Sequence, residues 1–315
     1  MAAMLNPRRP IAALLALAAL LAGFAGCCPT PPRLPAPPPP QPADEVISQL
    51  NQHASQVAAI KARGTVTLTW TDADGTHTKS ADGILMLRKH PAAEAVPGRP
   101  AADVLLIGRF AGQDVFELGV NRTTQWLAFR VDPKVAYVGP VGPDAPLPPG
   151  VPFRADAILQ VLALSTLSQQ PDARLAMTVR DDPAINTVYL IHTPPDGLAA
   201  IAREIVVDRR TRQVSAIRFF APDGVISATA QLGDYRPALA ANDDGDLVAT
   251  PVPMPHHIVI THRASGARVE LRLDTVQLMP ELLQPAFNRT FALPDFASQG
   301  IPVKPIAATA PAARR

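Results

Sequence analysis

Residues 103–130 read DVLLIGRF-AG-QDVFELGV-NR-TTQWLAFR: three apolar-rich segments joined by two links of two residues each. In an extended chain successive side chains point to opposite faces. Phe116, Leu118 and Val120 therefore share one side of a strand, with Glu117 on the other. Links as short as Ala111-Gly112 and Asn121-Arg122 exclude a parallel crossover, which takes a dozen residues or more. The spacing predicts an antiparallel meander of strands Asp103–Phe110, Gln113–Val120 and Thr123–Arg130.

The same period of two extends in both directions. Upstream, Val66, Leu68 and Trp70 alternate with Thr65, Thr67 and Thr69, and the turn Asp72-Ala73-Asp74-Gly75 leads to a partner strand near Gly83–Arg88. Downstream, Lys134–Val138, Ala173–Arg180, Ile185–His192, Ala202–Asp208, Gln213–Phe220, Val225–Leu232, His256–Thr261 and Arg268–Gln277 read as strands. The last is the cleanest, with Val269, Leu271 and Leu273 on one face and Glu270, Arg272 and Asp274 on the other, the mark of one buried and one wet face. Two segments switch to helical spacing. In Asp44–Ala62 the stripe is Val46, Leu50, His53, Val57 and Ile60, with Pro42 before it and Gly64 after it. In Arg154–Leu167 it is Ile158, Leu159, Val161, Leu162 and Leu164, following a Pro/Gly-rich stretch at Gly139–Pro152. Roughly 11–13 antiparallel strands are too many for a flat open sheet. The expected fold is mainly β with helices (α+β): an incomplete antiparallel β-barrel, or half-barrel, over residues 43–300, with the helices on its concave face. The Ala/Pro-rich stretch 301–315 reads as a disordered tail.

Composition narrows the function. The 315 residues are 47% hydrophobic but only 5% aromatic, so the core is aliphatic, and a chain of this size can stabilise it by packing alone. A net charge of +2 argues against a nucleic-acid surface. The two cysteines, Cys27 and Cys28, are adjacent, so the domain beyond them has neither a disulfide nor a thiolate metal site.

They stand at the end of what reads as an export signal over residues 1–26. Arg8 and Arg9 form a positive n-region, and the Ala/Leu stretch Ile11–Ala22 has the length of a signal h-region and is too short to span a bilayer with ease. Phe24-Ala25-Gly26-Cys27 resembles a bacterial lipobox, which makes Cys27 the candidate for cleavage and acylation; Phe24 stands where an aliphatic residue is usual. Ordinary cleavage would leave exposed thiols in an oxidising compartment. Residues 27–42 then read as the lipidated cysteine and a linker. Nine of the fourteen residues in Pro29–Pro42 are proline. Such a run prefers polyproline II and forms a semi-rigid spacer of about 40 Å between a membrane and a folded domain.

Motifs for chemistry are weak. His256 and His262 lie about 20 Å apart along a strand and His257 points the other way, so no metal and no other cofactor is expected. Asp72-Ala73-Asp74-Gly75 and Asn242-Asp243-Asp244-Gly245-Asp246 lack the later glutamate of a calcium loop and read as turns. Neither a Gly-x-Ser-x-Gly elbow, nor a P-loop, nor a dinucleotide fingerprint occurs, and the chain is not expected to be an enzyme. Candidates for an apolar ligand site are Trp70, Phe116, Leu118, Trp126 and Phe129 on the strands, with Leu159 and Leu162 on a helix covering them as a lid.

The lipobox, the helix opening with Val46-Ile47-Ser48-Gln49-Leu50, the strand from Ala62 to Leu68, the stretch Leu106–Gly119 and Thr124-Gln125-Trp126-Leu127 together resemble the LolA/LolB-like superfamily of periplasmic lipoprotein carriers. The resemblance implies an incomplete barrel whose apolar cavity holds acyl chains. It also implies a lipid-anchored member closer to the receptor branch than to the soluble carriers. By the same resemblance, the absence of aspartate at Cys28 favours the outer membrane, facing the periplasm. The expected function is binding of acyl chains or lipoproteins in lipid or lipoprotein trafficking. The alternative is an envelope sensor or scaffold that binds a partner protein.

Overall fold

The computed structural model describes residues 38–72, 75–91, 94, 99–132, 134–142, 145–146, 157–167, 173–178, 184–192 and 198–306. Cys27, the signal segment and most of the linker lie outside them. Helix α1, Ala43–Gln56, opens the described chain. Two meanders follow. The first comprises β1 (Ala59–Asp72), β2 (Gly75–Lys89), β3 (Ala102–Phe110), β4 (Gln113–Val120), β5 (Thr124–Phe129) and β6 (Val135–Pro140). The short helix α2, Ala157–Val161, separates it from the second. That meander comprises β7 (Ala173–Thr178), β8 (Ile185–His192), β9 (Ala200–Asp208), β10 (Val214–Phe220), β11 (Ile226–Ala241), β12 (Leu247–His262) and β13 (Arg268–Leu278).

β1 pairs antiparallel with β13, so the start of the first meander and the end of the second meet mid-sheet. Two 3₁₀ turns, Pro280–Leu283 and Pro285–Phe291, then lead to β14, Val303–Pro305. The resulting sheet runs β14-β6-β5-β4-β3-β2-β1-β13-β12-β11-β10-β9-β8-β7 and does not close on itself. Its neighbours pair antiparallel except β14, which lies parallel to β6.

The half-barrel expectation holds, with fourteen strands rather than 11–13. Two boundaries differ. α1 ends at Gln56, because Val57 is already extended (φ −112°, ψ 97°) and Ala59–Ala62 pair with β2. Of the expected helix Arg154–Leu167, residues 154–156 lie outside the described residues; the described part, Ala157–Val161, ends well before Leu167, with Ala163 in the left-handed region (φ 55°). The expected disordered tail is corrected over its first six residues: Ile301 and Ile306 are buried, and β14 pairs with β6.

Period-two alternation divides the sheet into two apolar faces. The inner face carries Ile60, Val66, Leu85, Val104, Leu106, Phe116, Leu118, Leu127, Val188, Ile205, Ile217, Ile258 and Leu271, packed with Val46 and Leu50 of α1 and Ile158, Leu159 and Leu162. Over the first meander the outer face is apolar as well. There Ala59, Leu105, Trp126, Ala128 and Ala136 lie under Leu282, Phe291, Phe296 and Ile301 of the C-terminal segment.

α1 crosses the strands of the inner face. Near its start, Asn186 of β8 donates to Gln41 Oε1 at 3.4 Å; at its end, Lys89 Nζ of β2 donates to the carbonyl of Ala54. Strands β8 and β2 stand seven positions apart in the sheet order. A flat sheet would separate them by about 34 Å, whereas the helix between those ends is about 20 Å long. The sheet therefore curls over α1.

Candidate functional site

The inner face under α1 and α2 is the candidate site. It joins most of the sheet to the two helices, and apolar contact is the main tie between them. The polar ties are few. Asn51 Oδ1 accepts from the Leu167 backbone N–H at 2.8 Å, Lys89 holds the last turn of α1, and Arg203 reaches Ser165. Asp44 and Glu45 in the first turn of α1 and the Lys89 ammonium at its end complement the helix dipole.

Five of the seven expected ligand-binding residues come together here. Phe116, Leu118, Leu159 and Leu162 are buried in the inner cluster, and Phe129, paired with Phe116, packs against it. Phe116 lies over Gly108, where a Cβ would come within 2.0 Å of its ring, so its position depends on that glycine. Trp70 is on the same face but near the β1–β2 turn, half-buried and stacked on His77 at 5.2 Å. Trp126 is on the opposite face and fully buried beneath the C-terminal segment. Its ring occupies the space left by Gly119, and its Nε1 donates to Glu117 at 2.9 Å. It is therefore an outer-core residue. Period two itself separates Trp126 from Leu127 and Phe129.

The histidines considered for metal each have other partners. His256 is buried against the Leu273 carbonyl at 2.6 Å, His257 meets Glu270 at 3.0 Å and His262 meets Ser265. Asn242 Oδ1 accepts from the backbone N–H groups of Asp244 and Asp246, so that loop is a side-chain-closed turn.

A cleft of about 300 Å³ opens beside the helices, lined by Leu50, His53, Ala163, Val214, Tyr235 and Pro253 among others. None of the seven expected ligand residues lines it. Tyr235 Oη donates to the Val214 carbonyl at 2.7 Å, and burial pushes its phenol up. Burial, then the nearby Lys89, push the His53 imidazole down, so it is neutral at pH 7. Burial also lowers Lys89 to about 8.

The sequence reading missed Arg203. It is 5% exposed and shares the inward register of β9 with Ile205 and Val207. The signal was present: an arginine sits in the apolar phase of an alternating strand.

With this geometry in place, comparison with known proteins gives a likeness of fold. No family model matches the chain, and neither does any curated protein. Among solved structures it is similar to an outer-membrane lipoprotein-sorting protein domain from Vibrio parahaemolyticus, at 14% identity and TM-score 0.48, over 78% of this chain and 96% of that one. It is similar to a DUF1329 family protein from Desulfovibrio piger at 9% identity and TM-score 0.49, over 79% and 97%. A LolA superfamily protein from Nitrosomonas europaea follows at 12% identity and TM-score 0.42, over 78% and 97%. At such identities the likeness concerns fold alone, and what the chain binds has to be argued from its own residues.

Proposed function

We propose that this chain is a non-enzymatic lipoprotein of the cell envelope, tethered through Cys27, whose half-barrel takes up acyl chains, free or attached to lipoproteins, between its helices and the inner face of the sheet. One observation carries the reading: a continuous apolar face, running from β1–β5 to β8–β13, is covered by two helices rather than by a second sheet. A helix held mainly by apolar contact exchanges that contact for contact with an acyl chain at little net loss. Each buried CH₂ of the incoming chain contributes about 0.8 kcal/mol. The proline-rich linker suits such a role, because a spacer of about 40 Å lets the domain reach away from the membrane that anchors it.

The test is direct. The mature chain, purified from its host membranes and washed free of lipid on a hydrophobic resin, is titrated with a fluorescent fatty acid. Saturable uptake is expected, and its absence overturns the acyl-binding reading. A Cys27→Ser chain is expected in the soluble envelope fraction; retention on the membrane with correct processing overturns the anchor.

A further inference from the structure

Adjacent residues of β9 meet opposite treatment. Glu204 faces outward and is ion-paired with Arg218. Arg203 faces inward, 5% exposed, among Ile205, Val207 and Ile217 of the inner cluster. Among the described residues its guanidinium meets Ser165, to whose Oγ Nη1 donates at 3.3 Å, and Phe219, whose ring centroid lies 5.8 Å from Cζ. Among the described residues no carboxylate lies within ion-pair distance of it. A buried guanidinium ordinarily has a carboxylate, because an unpaired charge in an apolar interior is expensive. Here one hydroxyl and one aromatic face stand where a bidentate anion would be expected. Burial pulls the group down to about 10, yet it stays fully charged at pH 7. The segment Ala163–Leu167 carries Ser165 at Arg203 and Ala163 at the lining of the cleft beside α1, and it turns sharply at Ala163.

We propose that Arg203 is the binding site for the anionic head, carboxylate or phosphate, of a single-chain or diacyl amphiphile whose tail lies along the inner face. The proposal rests on the acyl-binding reading above and sharpens it by naming the head group. On binding, the anion replaces Ser165 as the partner of the guanidinium, and the Ala163–Leu167 segment moves aside to admit it. A neutral acyl ligand gains nothing at this position.

The experiment uses the mature, lipid-stripped chain and four probes. These are a fluorescent C18 fatty acid, its methyl ester, lysophosphatidic acid of the same chain length as a competitor, and inorganic phosphate alone. The wild-type chain is expected to bind the acid at least tenfold more tightly than the ester. Arg203→Met is expected to abolish that preference by weakening the acid while leaving the ester unchanged, and Arg203→Lys to restore part of it. Displacement of the acid by lysophosphatidic acid marks a phosphate head as accepted, and its failure confines the site to carboxylates. Displacement by inorganic phosphate alone identifies a free-anion site and overturns the amphiphile proposal. Equal binding of acid and ester by the wild-type chain overturns the proposal and leaves acyl binding standing. Binding of neither overturns both. Equal loss of acid and ester in Arg203→Met, with circular dichroism unchanged, makes Arg203 a packing residue and also overturns the proposal. The wild-type ratio needs no variant, so a misfolded Arg203→Met would not prevent the decision.

Discussion

The two faces of one sheet are held by different means. On the outer face the C-terminal segment is pinned by two arginines. Arg88 bonds Asp103 at 2.7 Å, donates to Asn288 Oδ1 and the Leu282 carbonyl, and lies 4.7 Å from the centre of the Phe291 ring. Arg130 does the same between Glu117, Gln299 and Phe296. Each guanidinium has a buried carboxylate and an aromatic ring, so charge and burial agree. On the inner face the larger apolar cluster is covered by helices with few polar ties, and its buried Arg203 has no carboxylate partner among the described residues. On the acyl-binding reading proposed above, the cover that opens is the one with the fewer polar ties.

The largest expected effects lie on the outer face. Trp126→Ala is expected to lower the unfolding free energy by about 3–5 kcal/mol, because it empties the centre of the outer cluster and removes the donor to Glu117. Arg88→Met is expected to cost about 3 kcal/mol, since it leaves Asp103 buried without its guanidinium. Both are read by urea denaturation, and neither is expected to alter the affinity for a fatty-acid probe. A folded Trp126→Ala chain with weakened probe binding would break the distinction between the faces.

Smaller effects are expected inside. Leu159→Ala is expected to cost about 2 kcal/mol, the low end for a buried leucine, because α2 is short and can settle into the space. Its probe affinity is expected to change as well, which no outer-face variant should show. Arg203→Met is expected to cost nothing or to stabilise by about 1 kcal/mol, since it removes a buried charge that has no ion-pair partner. A loss as large as that of Arg88→Met would mean the inner arginine is as structural as the outer one.

The sequence made the hairpins legible and the second layer obscure. The three strands of residues 103–130 are found within one residue of their predicted ends, because alternation and two-residue links leave one antiparallel register. The long hairpin β11–β12 was half seen. Pro237, Pro251, Pro253 and Pro255 interrupt its alternation, although β13 pairs with β12 only over His257–Thr261 and the proline-bearing half is free of that partner. α1 was read too long because Val57 and Ile60 continue its stripe in phase, and no glycine or proline marks the true end at Gln56. The C-terminal cover escaped notice because Leu282, Phe291, Phe296 and Ile301 follow no regular period. At the candidate site, sequence indicated that apolar side chains face inward. Which of them share a cluster followed from register, and the inward placing of Arg203 followed from strand phase.

The smallest effect concerns the cover itself. Lys89 donates to the last turn of α1 from inside the apolar face, and burial lowers its ammonium to about 8 against an ordinary 10.5. Between those values the unfolded chain binds more protons than the native one, so this group's contribution to stability rises with pH from about 8 to 10.5 and is flat below. The gain is expected to be on the order of 1 kcal/mol, because the group is partly solvated. His53, one turn away, acts in the same sense lower on the scale. Its imidazole is held below 6.5, so stability is lost as pH falls through 6.5 toward the folded value. Both groups disfavour charge beneath α1, and the cover is therefore held least firmly in acid. Urea midpoints of the wild-type chain and of Lys89→Met, measured at pH 8 and pH 10, isolate the lysine. The wild-type chain is expected to gain on the variant over that interval, while the outer-face variants track the wild type. A constant difference between wild type and Lys89→Met would show that the ammonium is solvated in the folded chain, and that α1 is fastened by packing alone.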